Sequence, residues 1–149
     1  MNQHKTDILL VEDNIDDAGL VIRALRKNDP ALPVLHLNNG EEALQFLYPE
    51  NGEAPRDLPR LILLDLKMPK VDGLGLLSRI KSDERTRAIP VVMLTSSNQN
   101  SDITSCYRMG ANSYIVKPVD FGDFVRVVSG ISQYWLHLNH CPQIEKNNS

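Results

Sequence analysis

The feature that most limits what this chain can fold into is a regular alternation of short, continuous apolar runs with amphipathic segments. Asp7-Ile-Leu-Leu-Val11, Val34 to Leu37, Leu61-Ile-Leu-Leu-Asp65, Pro90-Val-Val-Met-Leu-Thr95 and Ser113 to Val116 read as five strands. An unbroken apolar run suits a strand buried on both faces, whereas a half-solvated strand alternates polar and apolar residues. Between the runs, apolar residues recur at helical spacing. Ile15, Ala18, Val21, Ile22 and Leu25 mark a helix over Ile15 to Asn28, with Asn14 as its N-cap. Glu41 to Leu47 and Gly73 to Lys81 read as two more helices, the second carrying Leu74, Leu77 and Ile80 on one face. Asn100 to Met109 is poor in strong helix formers, and Gly110 is its stop. Phe121 to about Leu138 is the last helix.

Five βα units require a parallel sheet with helices on both faces. Right-handed crossovers leave few topologies, of which the flavodoxin-like order 2-1-3-4-5 suits five strands. The 149 residues, 42% of them hydrophobic, can fill one such core. The expected organisation is a tail over 1–6, one domain over 7–138 and a polar tail over 139–149. Tyr48 to Arg60, rich in proline and charge, is expected to be a surface loop. The net charge of -3 argues against a general nucleic-acid binder, which needs a basic surface. No apolar run is long enough to span a membrane, and the polar N-terminus has no signal-peptide stretch. Two cysteines, Cys106 and Cys141, form no disulfide framework, so a reduced, cytoplasmic protein is expected.

Ligands of open parallel sheets bind at the carboxyl ends of the strands. Strand one ends in Glu12-Asp13, strand three in Asp65, strand four in Thr95-Ser96-Ser97 and strand five in Lys117-Pro118. The strand order would gather three carboxylates, a hydroxyl and an ammonium into one pocket. Crowded carboxylates repel, so the set calls for a divalent cation. Mg²⁺, which prefers hard oxygen ligands and keeps several waters, fits it. With the charge neutralised, an Asp can attack a phosphoryl group as a nucleophile. Each residue alone has a bland explanation: an Asp at a strand end is commonly a cap, and Thr-Ser-Ser commonly begins a helix. The convergence of all of them on one sheet edge is what separates the two explanations.

Those residues carry a resemblance to the response-regulator receiver family over about Asp7 to Leu138. Val11-Glu12-Asp13-Asn14 resembles the family's acidic pair. Leu64-Asp65-Leu66-Lys67-Met68-Pro69, followed by Asp72-Gly73, resembles its phosphoacceptor strand and loop. Thr95-Ser96 resembles the hydroxyl position, and Tyr114-Ile115-Val116-Lys117-Pro118 the switch aromatic and lysine. Separations of 52, 30 and 22 residues between Asp13, Asp65, Thr95 and Lys117 also suit the family. The resemblance implies that Glu12, Asp13, Asp65 and the Lys67 carbonyl arrange Mg²⁺. It implies that Asp65 takes a phosphoryl group from a sensor histidine kinase and that Thr95 and Lys117 grip it. Tyr114 would turn inward with Thr95 as the switch, Lys67 and Ser97 would set the lifetime of the phosphate, and the Lys117-Pro118 bond would be cis. Beyond this self-catalysed transfer and hydrolysis no enzyme activity is implied.

The long loop and Tyr134-Trp135-Leu136 are similar to stand-alone regulators that serve phytochrome kinases. With no output domain in view, a homodimer through helix 4, strand 5 and helix 5 is expected. Phe121, Phe124, Val128, Ile131, Trp135 and Leu138 would form the buried stripe of the last helix, leaving Val127 and Tyr134 exposed for the partner. Other readings fit less well. A flavodoxin needs a hydroxyl- and glycine-rich phosphate loop where this chain has Glu12-Asp13. A haloacid-dehalogenase-type phosphatase wants a second Asp at the position of Lys67. A transcription factor needs more chain after Lys117. His137, His140 and Cys141 lack a fourth ligand and are read as incidental.

Overall fold

A computed structural model describes residues 6–50, 58–68 and 70–142. Five strands form one parallel sheet in the order β2-β1-β3-β4-β5: β1 Ile8–Val11, β2 Val34–Leu37, β3 Leu61–Leu64, β4 Val91–Thr95 and β5 Ser113–Val116. Five α-helices join and follow them: α1 Ile15–Arg26, α2 Gly40–Leu47, α3 Gly73–Ser82, α4 Asn100–Arg108 and α5 Phe121–Ser132. The architecture is the expected one. β1 and β3 lie in register, with Ile8 opposite Leu61 and Val11 opposite Leu64. Their carboxyl ends therefore finish side by side.

The period-2 geometry of a strand divides the continuous apolar runs between two faces. Leu9, Val11, Ile62, Leu64, Val91 and Met93 face the layer of α2, α3 and α4. Ile8, Leu10, Leu61, Leu63, Val92 and Leu94 face α1 and α5. All but Leu10 and Leu94 are fully sealed from solvent. Burying each such side chain contributes about 1.5–3 kcal/mol.

The helix termini follow the sequence reading. Asn14 caps α1 by accepting from the Asp17 N–H at 3.0 Å, and Gly110, at φ +104°, stops α4. Gly73 answers a close approach: a Cβ there would lie 2.2 Å from the Asp65 carbonyl oxygen. Its N–H instead donates to the Leu66 carbonyl at 2.8 Å, pinning the start of α3 against the end of β3.

Two expectations at the C-terminal end change. The last helix does not stay α-helical to Leu138: after Ser132 the chain winds as a π-helix over Gln133–Leu138. The wider turn advances the buried face by five residues rather than four. Ile131 is thus followed into the core by Leu136, while Leu138 is 61% exposed and Trp135 only partly buried. The Leu136 carbonyl is bound by the Arg60 guanidinium at 2.7 Å. Phe121, expected on the buried stripe, is 59% exposed at the first turn. Conversely, Val127 packs against the α1/α5-side core. It lies three residues from Phe124 and four from Ile131, which puts it on the inward face. Tyr134 is exposed as expected. The Lys117–Pro118 bond, expected cis, is trans. Much of the expected surface loop (51–57) and the tail residues 1–5 and 143–149 lie outside the described residues.

Candidate functional site

The carboxyl edge of the sheet gathers the residues that the strand order predicts. Glu12 follows β1 directly, and its N–H donates to Leu37 at 3.1 Å, extending the ladder by one residue. That holds Glu12 inside the protein at 2% exposure, while Asp13 turns out to solvent. Asp65 follows β3, its N–H donating to Val11 at 3.1 Å, and is 9% exposed. Oxygens of Glu12, Asp13 and Asp65 all lie within 4.8 Å of one another. It is the one such ligand-type cluster among the described residues, so His137, His140 and Cys141 do not form another.

Lys117 enters from the end of β5, its N–H donating to the Thr95 carbonyl at 2.8 Å. Its ammonium faces three carboxylates. It donates a short hydrogen bond to Glu12 Oε1 and a second to Asp17 Oδ2 at 2.9 Å, and pairs with Asp65 Oδ2 at 3.8 Å. The other Glu12 oxygen accepts from the Asn14 N–H at 3.3 Å. Burial pushes the Glu12 carboxyl up to about 8. The Lys117 bond opposes that rise, and the neighbouring Asp65 adds to it. Burial disfavours the Lys117 ammonium, yet its bonds to Glu12 and Asp17 and the nearby charges outweigh that and raise its affinity for the proton. The rise at Lys117, and the part of the Glu12 rise owed to Asp65, describe a pocket short of positive charge. Hard oxygen donors, mutually repelling and served by one ammonium, suit a divalent cation.

Thr95, at the end of β4, is 1% exposed. Beyond it the chain turns through Ser97 into α4. The Ser97 N–H reaches back to Thr95 Oγ1 at 3.5 Å, and the Ser97 hydroxyl donates to Asp102 Oδ2 at 2.5 Å. Tyr114, on β5, is half-buried against the α2–α4 side of the core, and its hydroxyl donates to the Ser97 carbonyl at 2.9 Å. The ring expected to turn inward is half-buried here, its hydroxyl held by Ser97. Lys67 stands exposed two residues beyond Asp65.

Glu12, Asp13, Asp65 and Lys117 therefore meet, whereas the Thr95 hydroxyl is engaged by Ser97, which with Tyr114 and Asp102 forms a second cluster, and Lys67 is exposed. Three participants escaped the sequence reading. Asp17 could have been found as the residue three after the N-cap, on the first turn of the helix that starts at the pocket. Asp102 has the matching position in α4. His36, whose Nε2 lies 2.8 Å from the Glu12 carbonyl oxygen, gave no signal beyond its place in β2.

The family model described as the response regulator receiver domain matches residues 8–129. The chain belongs to that family. Among curated relatives, it is 46% identical over 135 residues to the probable methanogenesis regulatory protein FilR2 of Methanothrix harundinacea, covering 91% of this chain and 86% of that one. It is 36% identical over 135 residues to the response regulator Rcp1 of Synechocystis, covering 91% and 92%. Among solved structures, the phosphorylated cyanobacterial phytochrome response regulator RcpA superposes with a TM-score of 0.86 at 37% identity, covering 93% of this chain and 99% of that one. The Mn²⁺-bound form of Rcp1 does so with a TM-score of 0.81 at 36% identity, covering 91% and 98%. No helix among the described residues is long and apolar enough to cross a membrane.

Proposed function

We propose that this receiver takes a phosphoryl group from a sensor histidine kinase onto Asp65 and relays its presence by a conformational change. The observation that carries the reading is the convergence of Glu12, Asp13 and Asp65 within one cation's reach, with Lys117 beside Asp65. An Asp65 oxygen attacks phosphorus while the P–N bond of the phosphohistidine breaks, its electron pair remaining on the imidazole. Mg²⁺, held by Glu12, Asp13, Asp65 and the Lys67 carbonyl, would neutralise charge on the transferring group and fix its approach. The Lys117 ammonium and the Thr95 hydroxyl grip the phosphoryl oxygens. The gap of 3.8 Å between Lys117 and Asp65 closes as the added charge draws the ammonium in. Support for the cation comes from the carboxylate cluster and from the Mn²⁺-bound relative.

Thr95 also begins the path outward. Drawn to the phosphate, its hydroxyl releases the Ser97 N–H and shifts the loop that Ser97 ties to Tyr114 and α4. Lys67 and Ser97 flank the approach of hydrolytic water and tune the phosphate's lifetime. Beyond its own phosphorylation and hydrolysis the domain, over 7–138, is read as a signalling module of a reducing cytoplasm, which suits its two free cysteines. Neither nucleic acid nor membrane is read as a partner. A homodimer through α4, β5 and α5 would draw on exposed Tyr107 of α4 and Val116 of β5. The likeness to RcpA and Rcp1 favours a phytochrome as the kinase. FilR2, at higher identity, is named for regulation of methanogenesis, so a kinase outside the phytochromes is the second reading.

The test is acid-labile labelling from acetyl phosphate with Mg²⁺. Wild type should label and Asp65→Asn should not. A fully labelled Asp65→Asn protein would overturn the assignment.

A further inference from the structure

We propose that Asp17 is a positioning residue for Lys117, the anchor that keeps the ammonium at the pocket once a cation has claimed Glu12. The inference rests on the phosphoacceptor reading of Asp65 given above. An ammonium has three donors, and here three carboxylates face them: Glu12, Asp17 and Asp65. Two of the three, Glu12 and Asp65, also belong to the cluster that converges on a cation site. Oxygens turned toward a divalent ion hold an ammonium less well, because the two cations repel. Asp17 stands outside that cluster, so its 2.9 Å bond to Nζ is the one that cation binding leaves in place.

Asp17 is also built to stay put. It sits on the first turn of α1, where its N–H is held by the Asn14 side chain at 3.0 Å. Its carboxylate is two-thirds covered, and a negative charge there is favoured by the helix N-terminus. A lysine side chain on four methylenes loses much rotamer freedom when fixed. A pre-set carboxylate on the neighbouring helix removes that cost from the phosphorylation step. The bond fixes the ammonium within 3.8 Å of the Asp65 oxygen, the distance from which it reaches an incoming phosphoryl group.

The test compares wild type, Asp17→Ala and Asp17→Glu with Mg²⁺ and acetyl phosphate. Asp17→Ala should label about ten-fold more slowly at saturating Mg²⁺, a change of about 1.4 kcal/mol in the barrier. Its Mg²⁺ affinity, by calorimetry, should stay within about two-fold of wild type, since Asp17 is outside the cluster. Asp17→Glu should recover most of the rate. In ¹⁵N spectra of the Mg²⁺-bound protein, the Lys117 ammonium resonance should be protected in wild type and lost to solvent exchange in Asp17→Ala. An unchanged or faster rate, or an ammonium signal that persists in Asp17→Ala, overturns the inference. Wild type that fails to label at all would instead overturn the phosphoacceptor reading.

Discussion

The two halves of the carboxyl edge are built differently. At the ends of β1 and β3 the functional groups continue fully buried strands: Glu12 and Asp65 keep ladder hydrogen bonds to Leu37 and Val11 and sit over sealed leucines. At the end of β4 the chain leaves the sheet for α4, a helix that buries only Cys106 and whose N-cap residue, Gln99, makes no side-chain capping bond, before it returns as β5. β5 itself is only partly buried. The first half can hold reacting atoms in place, and the second can change its arrangement at low cost. A switch needs both. A rigid second half would store the charge of a phosphate without reporting it, and a soft first half could not place an attacking oxygen.

The comparison predicts a global loss from the first half. Leu63, wholly buried in the centre of β3, supports the strand that ends in Asp65. Leu63→Ala should cost about 2–5 kcal/mol in denaturant unfolding, with every probe moving together. A loss confined to signals from α4 would break the distinction between the halves.

A smaller effect sharpens it through pH. The Glu12 carboxyl is raised to about 8, chiefly by burial. A raised folded-state carboxyl binds a proton more readily in the native protein than in the unfolded chain. Without metal, stability therefore falls as pH rises from the ordinary carboxylate range toward 8. A cation must displace that proton, so Mg²⁺ affinity should rise with pH, by at most about ten-fold per unit, and level off above about 8. Calorimetric titrations across pH 6–9 check it, and Glu12→Gln should flatten the profile. An affinity that falls with pH in wild type would contradict the assignment of Glu12 to the cation site.

The fold was legible because its signals are local. Continuous apolar runs fix the strands, Asn14 shows its capping role in its side-chain amide, and Gly110 shows its role in having no side chain to oppose a positive φ. The pocket was legible because strand order alone brings Glu12, Asp13, Asp65, Thr95 and Lys117 to one edge. What escaped depends on a backbone detail or on side-chain reach. The π-helical winding after Ser132 moves Leu136 into the core in place of Leu138 and leaves Trp135 partly buried beside it, and nothing in Gln133–Leu138 marks it. Val127, expected on the outward face, lies three residues from Phe124 and four from Ile131 and packs inward with them. Asp17 and Asp102 look like ordinary first-turn acids. Their partners, Lys117 and Ser97, become evident only when the loops are closed.

The smallest expected effect lies in the second half and bears most directly on the switch. Asp102, on the first turn of α4, accepts from the Ser97 hydroxyl, and the Gln99 N–H lies 3.4 Å from that same oxygen. This pair does for α4 what Asn14, Asn39, Asp72 and Asp120 do for the other helices by direct capping. It also fixes the Ser97 carbonyl that receives the Tyr114 hydroxyl. Asp102→Ala should therefore loosen helix and tyrosine together, at a cost of about 1 kcal/mol. Read by native-state hydrogen exchange, the amides of α4 should exchange about 5-fold faster, a factor that matches 1 kcal/mol. Amides of β1 and β3 should keep their wild-type protection, because neither strand touches the lost bond. Asp65 should still label from acetyl phosphate. Should β1 and β3 loosen as much as α4, the two halves form one cooperative unit, and the division between a fixed site and a soft reporter fails.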